Sequence, residues 1–230
     1  MADNEVSDAA KTVRLLVLAA SVKYQDICIA GVDLGTRKWI RPVRAGSNSA
    51  IPETWTYMSG AGYFATPLDV VELELQAPTP IGYQPENWTI EETPRWKYME
   101  SASAFEASEY CSLPDHVLGS PGSKISETVA MAGVDRSLEL LRIESPNFYQ
   151  KDWSNGPTQE RVAFTYRGCD YDLSNTDPRA RLGSGRQQEV ASEWLFTISL
   201  AEPWKGDCYK VLAAAIPLPP DPAPVEPLPF

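Results

Sequence analysis

Thr12-Val13-Arg14-Leu15-Leu16-Val17-Leu18-Ala19-Ala20-Ser21 is a compact apolar run closed by polar residues at both ends. Its length suits one buried strand better than a helix. Outward from it the same texture repeats. Residues 26–32 are a second strand candidate, followed by the turn signal Asp33-Leu34-Gly35. Lys38-Trp39-Ile40-Arg41-Pro42-Val43 reads as a short strand with Trp39 and Ile40 on opposite faces, and Pro42 marks a sheet edge or the strand's end. In residues 68–75 apolar and acidic residues alternate from Val71 onward, the pattern of a strand with one wet face.

Residues 76–94 are too rich in proline and aromatics for a helix, whereas residues 102–110 suit a short one. Residues 113–124, with Pro114, Gly119, Pro121 and Gly122, read as the connection between two domains. The second half repeats the style of the first. Residues 137–143 are a strand, residues 161–166 and 170–173 flank Arg167-Gly168-Cys169 as a hairpin, and residues 194–200 and 208–216 form a final pair. Many short strands with turns between them, and no long amphipathic helix, predict a mainly β chain of small barrels or a sandwich. The expected organisation is a loose leader over residues 1–11, a first domain over 12–115, a second over 116–216 and a proline-rich tail over 217–230. That tail holds seven prolines, which predicts an exposed polyproline II segment outside any sheet.

A chain of 230 residues can bury one large core or two small ones. Seven tryptophans lean the fold towards sheet, because aromatic rings pack well on a pleated surface. The formal charge of -11 argues against sequence-blind adhesion to nucleic acid or anionic membrane. The charge is uneven, however. Arg37, Lys38, Arg41 and Arg44 fall close together, and Arg161, Arg167, Arg179, Arg181 and Arg186 form a second basic group. Cys28, Cys111, Cys169 and Cys208 are widely spaced and His116 is the sole histidine, so no zinc site is expected, and neither is a calcium loop. No apolar run is long enough to span a bilayer as a helix, and the polar, acidic start resembles no export signal. A cytoplasmic protein with reduced cysteines, no cofactor and no membrane partner is the expectation.

In the order of its motifs the chain resembles the dual-OB family, tandem oligonucleotide/oligosaccharide-binding barrels of bacteria and their phages. The stretches that carry this are Leu15-Leu16-Val17-Leu18-Ala19-Ala20-Ser21 leading to Cys28-Ile29-Ala30-Gly31, then Trp39-Ile40-Arg41-Pro42-Val43, Pro67-Leu68-Asp69-Val70-Val71 and Tyr83-Gln84-Pro85-Glu86-Asn87-Trp88. In the second half they are Phe164-Thr165-Tyr166, Tyr171-Asp172-Leu173, Thr176-Asp177-Pro178, Ser199-Leu200 and Tyr209-Lys210. The resemblance spans residues 14–216 and implies two OB-like barrels. It also implies binding of nucleic acid or nucleotides, in conflict between bacteria and mobile elements.

An OB barrel binds by offering rings for bases to stack on and cations for phosphates. Here Arg37, Lys38, Arg41 and Arg44 surround Trp39, while Arg161 and Arg167 surround Phe164 and Tyr166. The same rings can equally be core, with the arginines solvated or paired. Asp177 before Pro178 either caps a turn or accepts from a base or ribose while Arg179 meets a phosphate. Ser21 and Lys23 early in the chain, and Tyr209 and Lys210 late in it, are candidates for a barrel mouth. Gln84 and Asn87 lie in a proline-flanked loop beside Trp88, either as plain loop or as readers of a ligand edge. No phosphate loop, dinucleotide fingerprint or metalloprotease motif occurs, and catalytic residues are not assigned. The leading expectation is a binding protein for single-stranded nucleic acid or a nucleotide-like molecule. A protein-interaction subunit docking through residues 217–230 is the alternative, and a hydrolase using Asp177 ranks last.

Overall fold

The apolar run lies inside the longest strand of the first sheet, β1 (Lys11–Lys23), in a computed structural model that describes residues 10–23, 25–46, 50–92, 95–153, 156–182 and 191–219. Around it stand β2 (Asp26–Asp33), β3 (Trp39–Arg44), β4 (Met58–Ser59), β5 (Asp69–Leu75), β6 (Ala77–Pro78), β7 (Asn87–Ile90) and β8 (Trp96–Ser101). They form one sheet in the order β4-β8-β5-β1-β2-β3-β7-β6. After the short helix α1 (Ala104–Ser108) come β9 (Lys124–Ser126), α2 (Glu127–Ala132), β10 (Leu138–Glu144), β11 (Asn147–Trp153), β12 (Gly156–Tyr166), β13 (Cys169–Asn175), β14 (Glu193–Trp204) and β15 (Asp207–Leu218). The second sheet runs β10-β14-β15-β13-β12-β11, with β9 on β15. The protein is thus mainly β, in two sheets with two short helices among the described residues.

Each sheet closes over its own core. Trp96, Leu15, Ile29, Ile40 and Leu73 fill the first, and Phe164, Tyr171, Phe196 and Leu212 the second. A third apolar layer joins the two, with Leu16, Leu18 and Val70 from one side meeting Leu140, Leu195, Ile216 and Leu218 from the other. Beside it Ala19, Ala30, Ala213 and Ala214 form a patch of small residues. Small side chains let two strands approach closely, and both strands are bulged there. The β1–β2 register skips between Val17 and Ala19, and the β14–β15 register skips between Thr197 and Ile198. A bulge leaves one residue outside the ladder. The freed Leu18 carbonyl accepts from the Thr197 hydroxyl at 2.6 Å, so the irregularity in one sheet becomes a bond to the other.

Several expectations are corrected. Residues 76–94 form no helix among the described residues, as expected, but they hold the unforeseen β7, which runs parallel to β3 with Arg41 opposite Asn87. Pro42 falls where β3 pairs with β7 alone, its pairing with β2 being confined to Trp39 and Ile40, so the missing N–H interrupts no second ladder. Lys11 belongs to β1, opposite Leu75, rather than to a leader. The sheet also reaches into the proline-rich tail. Pro217 pairs with Trp194, and Leu218 is buried in the layer between the sheets, an apolar gain that holds β15 to its end. Residues 220–230 lie outside the described residues. Residues 113–124 are only partly a connection, since Val117 and Leu118 pack into the second core. The strands β8, β9 and β11 and the helix α2 were not foreseen.

Candidate functional site

Alternation along β3 sends Ile40 into the first core and turns Trp39 and Arg41 towards the second sheet. The Arg41 guanidinium is buried, and its Nη2 donates to Ser137 Oγ and Ser199 Oγ at 3.1 Å each. Ser137 in turn donates through its backbone N and its hydroxyl to the two carboxylate oxygens of Glu86, both at 2.6 Å. This chain of polar groups ties the first sheet to the second. Burial lowers the Arg41 pKa, and the Glu86 carboxylate opposes that shift. Arg41 Nη1 and Asn87 Oδ1 are buried without a partner among the described residues. Beside them lies a slot of about 20 Å³, lined by Lys23, Cys28, Arg41 and Gln84, which is room for a single water.

Five of the expected site residues therefore gather at one place. Ser21 stands opposite Cys28 in the β1–β2 ladder, and Lys23 is paired with Glu202 at 2.8 Å. Gln84 Nε2 donates to the Leu200 carbonyl at 3.3 Å, and Asn87 Nδ2 donates to Gln84 Oε1 at 3.4 Å. Arg41, Lys23 and Gln84 fasten the two sheets, and the slot beside them is too small for a base.

The second-half candidates are turned inward. Asp177 is wholly buried; its Oδ2 accepts from Ala215 N and its Oδ1 from Arg179 N, both at 2.9 Å, with the Arg179 side chain against it. That is the turn cap among the two readings, and it closes Asp177 to a ligand or a substrate. Tyr166 is buried, its ring in the second core. Phe164 stacks on Tyr171 with ring centroids 5.4 Å apart, so it is core rather than a platform. Lys210 is buried too, donating to the carbonyls of Ser120 and Gly122. Tyr209 is half-buried beside Trp204.

The open ground lies on the other side of Trp39. A cleft of about 680 Å³ there is lined by Lys11, Arg37, Lys38, Trp39, Trp88 and Arg136, together with Glu86 and Asp135. Both indoles are half-buried. The Lys11 ammonium sits over the Trp88 ring at 4.3 Å, and the Arg37 guanidinium over Tyr110 at 4.4 Å. Arg136 pairs with Glu139 at 3.2 Å but keeps half its side chain in solvent. Lys38 is exposed and has no ion pair among the described residues. Glu86 already accepts two bonds from Ser137, which leaves the exposed Asp135 as the carboxylate of this lining without an ion pair among the described residues. Of this constellation Trp39, Arg37 and Lys38 were legible as a cluster in sequence. Lys11, Trp88 and Arg136 were missed as site residues, since no local pattern links three positions so far apart. Among the described residues no group of three or more His, Cys, Asp or Glu side chains could hold a metal. No helix there is long and apolar enough to cross a membrane.

Two sheets packed on each other, with an aromatic and cationic cleft at their seam, make a mainly β protein of two OB-like units. The chain matches the model of the dual OB-containing domain over residues 13–215 and belongs to that family. No curated protein matches it.

Proposed function

We propose that this protein binds single-stranded nucleic acid or a nucleotide in the seam cleft, with Trp39 and Trp88 receiving a base and Lys38, Arg37, Lys11 and Arg136 facing phosphate. The observation that carries this is two indoles and four cations around one cleft in a chain of net charge -11. A global field so acidic repels phosphate at long range, so affinity has to arise locally. Stacking supplies it, at about 1–3 kcal/mol per base. The four cysteines are free thiols, in keeping with the cytoplasm where nucleotides abound.

Titration of intrinsic tryptophan fluorescence with the four mononucleotides and with mixed-sequence oligonucleotides tests the reading. Binding should quench the signal, and Trp39→Ala should weaken it by roughly 5- to 100-fold with the fold retained. Absence of quenching by every ligand, at low as well as physiological salt, would refute the proposal.

A further inference from the structure

Arg41 is a buried cation with no ion pair among the described residues. It is 5 % exposed, and both bonds from its Nη2 go to neutral hydroxyls, those of Ser137 and Ser199. Its Nη1 has no partner there at all. Glu86 stands one group further off, engaged by Ser137. A guanidinium taken out of water without a counter-charge is costly, and burial accordingly lowers the Arg41 pKa.

The slot of about 20 Å³ that Arg41 lines adjoins this charge. Its other polar walls are Lys23, Cys28 and Gln84, and the rest is Pro42, Val43 and Ala50. The Lys23 ammonium has three N–H donors, one of them given to Glu202 at 2.8 Å. Burial raises the Cys28 pKa, so that sulfur stays a neutral thiol, a weak donor rather than the counter-charge Arg41 lacks. Gln84 is engaged at both ends, its Nε2 on the Leu200 carbonyl and its Oε1 accepting from Asn87 Nδ2. Asn87 Oδ1, the neighbouring acceptor without a partner, is not part of the lining. The side chains around the slot thus offer donors and positive charge, and among the described residues no carboxylate lines it. A buried water makes about three bonds, donating as well as accepting, whereas an anion only accepts.

We infer that this slot binds a small inorganic anion of the halide class, held by Arg41 and Lys23. Size selects the class. A halide is little larger than a water molecule and suits a space of about 20 Å³, whereas a phosphate group does not. The net charge of -11 works against anion entry, so the site depends on its two local cations. The ion neutralises the guanidinium that joins the two sheets through Ser137 and Ser199, and its occupancy therefore adds to the stability of the whole molecule. The inference is independent of what the seam cleft binds.

The experiment follows thermal unfolding of the full chain in potassium gluconate, replaced stepwise by potassium chloride or bromide at constant ionic strength. The melting temperature should rise and saturate, by roughly 2–4 °C once the halide reaches about five times its Kd. Salting without a site has the opposite sign, because the strongly hydrated gluconate is the better general stabiliser. Arg41→Met should abolish the rise, and Lys23→Gln should move its midpoint several-fold to higher halide. Since Arg41→Met also removes bonds between the sheets, the place of binding is read on the unaltered protein. Crystals grown in bromide should give an anomalous scattering peak in the slot, against Arg41 and Lys23. A melting temperature that falls or stays level as halide replaces gluconate overturns the inference. So does a protein whose bromide peaks lie only on its surface, or a slot that holds water with no anomalous signal. Nucleotide titration of the seam cleft is a separate measurement, so the two readings fail separately.

Discussion

Lys210 is a cation with almost no water around it, 1 % exposed, donating to the carbonyls of Ser120 and Gly122 and lying over the Tyr171 ring at 5.5 Å. Burial pulls its pKa down to about 8 from 10.5, against a smaller upward pull from Glu139. Between those values the unfolded chain binds the proton and the folded chain does not. The stability that Lys210 contributes is therefore least below pH 8 and grows as pH rises towards 10.5. Compared with Lys210→Met by urea unfolding, the wild type should gain about 2 kcal/mol of relative stability between neutral pH and pH 10. An unchanging difference between the two proteins would show that the amine is charged throughout. Asp177 teaches the same lesson from the acidic side. In sequence it is an exposed-looking turn residue, yet its carboxylate faces the backbone N–H of Ala215 on a strand 38 residues away. No local pattern reveals that a polar side chain will be enclosed by a strand so distant.

At the scale of elements, β1 is the piece most dependent on a single position. Gly31 lies opposite its bulge, and a Cβ there would come within 2.2 Å of the Leu16 carbonyl oxygen. Since that obstacle is backbone, the strands must part to make room. Gly31→Ala should cost about 1–3 kcal/mol or more, measured as a lower urea midpoint, and should alter the indole spectrum because β3 hangs on β2. The strong strands were readable because their buried faces are runs of Leu, Val, Ile and Ala long enough to show. The weak ones were not: β7 has four residues in a proline-flanked loop, and it is a strand only because β3 and β6 lie alongside it. Helix α1 was readable for a different reason. Ser103 and Glu106 form a reciprocal capping box, which is local chemistry and needs no distant partner.

For the whole molecule the seam is the decisive feature, because the cleft has one wall in each sheet. Ala19, Ala30, Ala213 and Ala214 keep the sheets close, while Arg41, Ser137 and Glu86 hold their register. Ala214→Leu should overpack that contact, costing roughly 1–3 kcal/mol of stability. It should also weaken oligonucleotide binding although it touches no ligand. A variant that loses stability yet binds as before would show that the two walls act independently. The clustering of Trp39, Arg37 and Lys38 on one short stretch made an aromatic and cationic face foreseeable, whereas Trp88 and Arg136, which complete the lining of the cleft, arrive from two other places in the chain.

Hydrophobic patterning, turn residues and composition were by themselves enough to determine a chain of short strands in two units, with rings and cations concentrated near Trp39, because each of these is written in consecutive residues. Which polar groups are enclosed and which are open was decided only by the packing of one sheet on the other. Burial depends on neighbours that the chain brings together from far apart, and at the seam that packing enclosed Arg41 and Asn87 while leaving Lys11, Lys38 and Arg136 facing a common cleft.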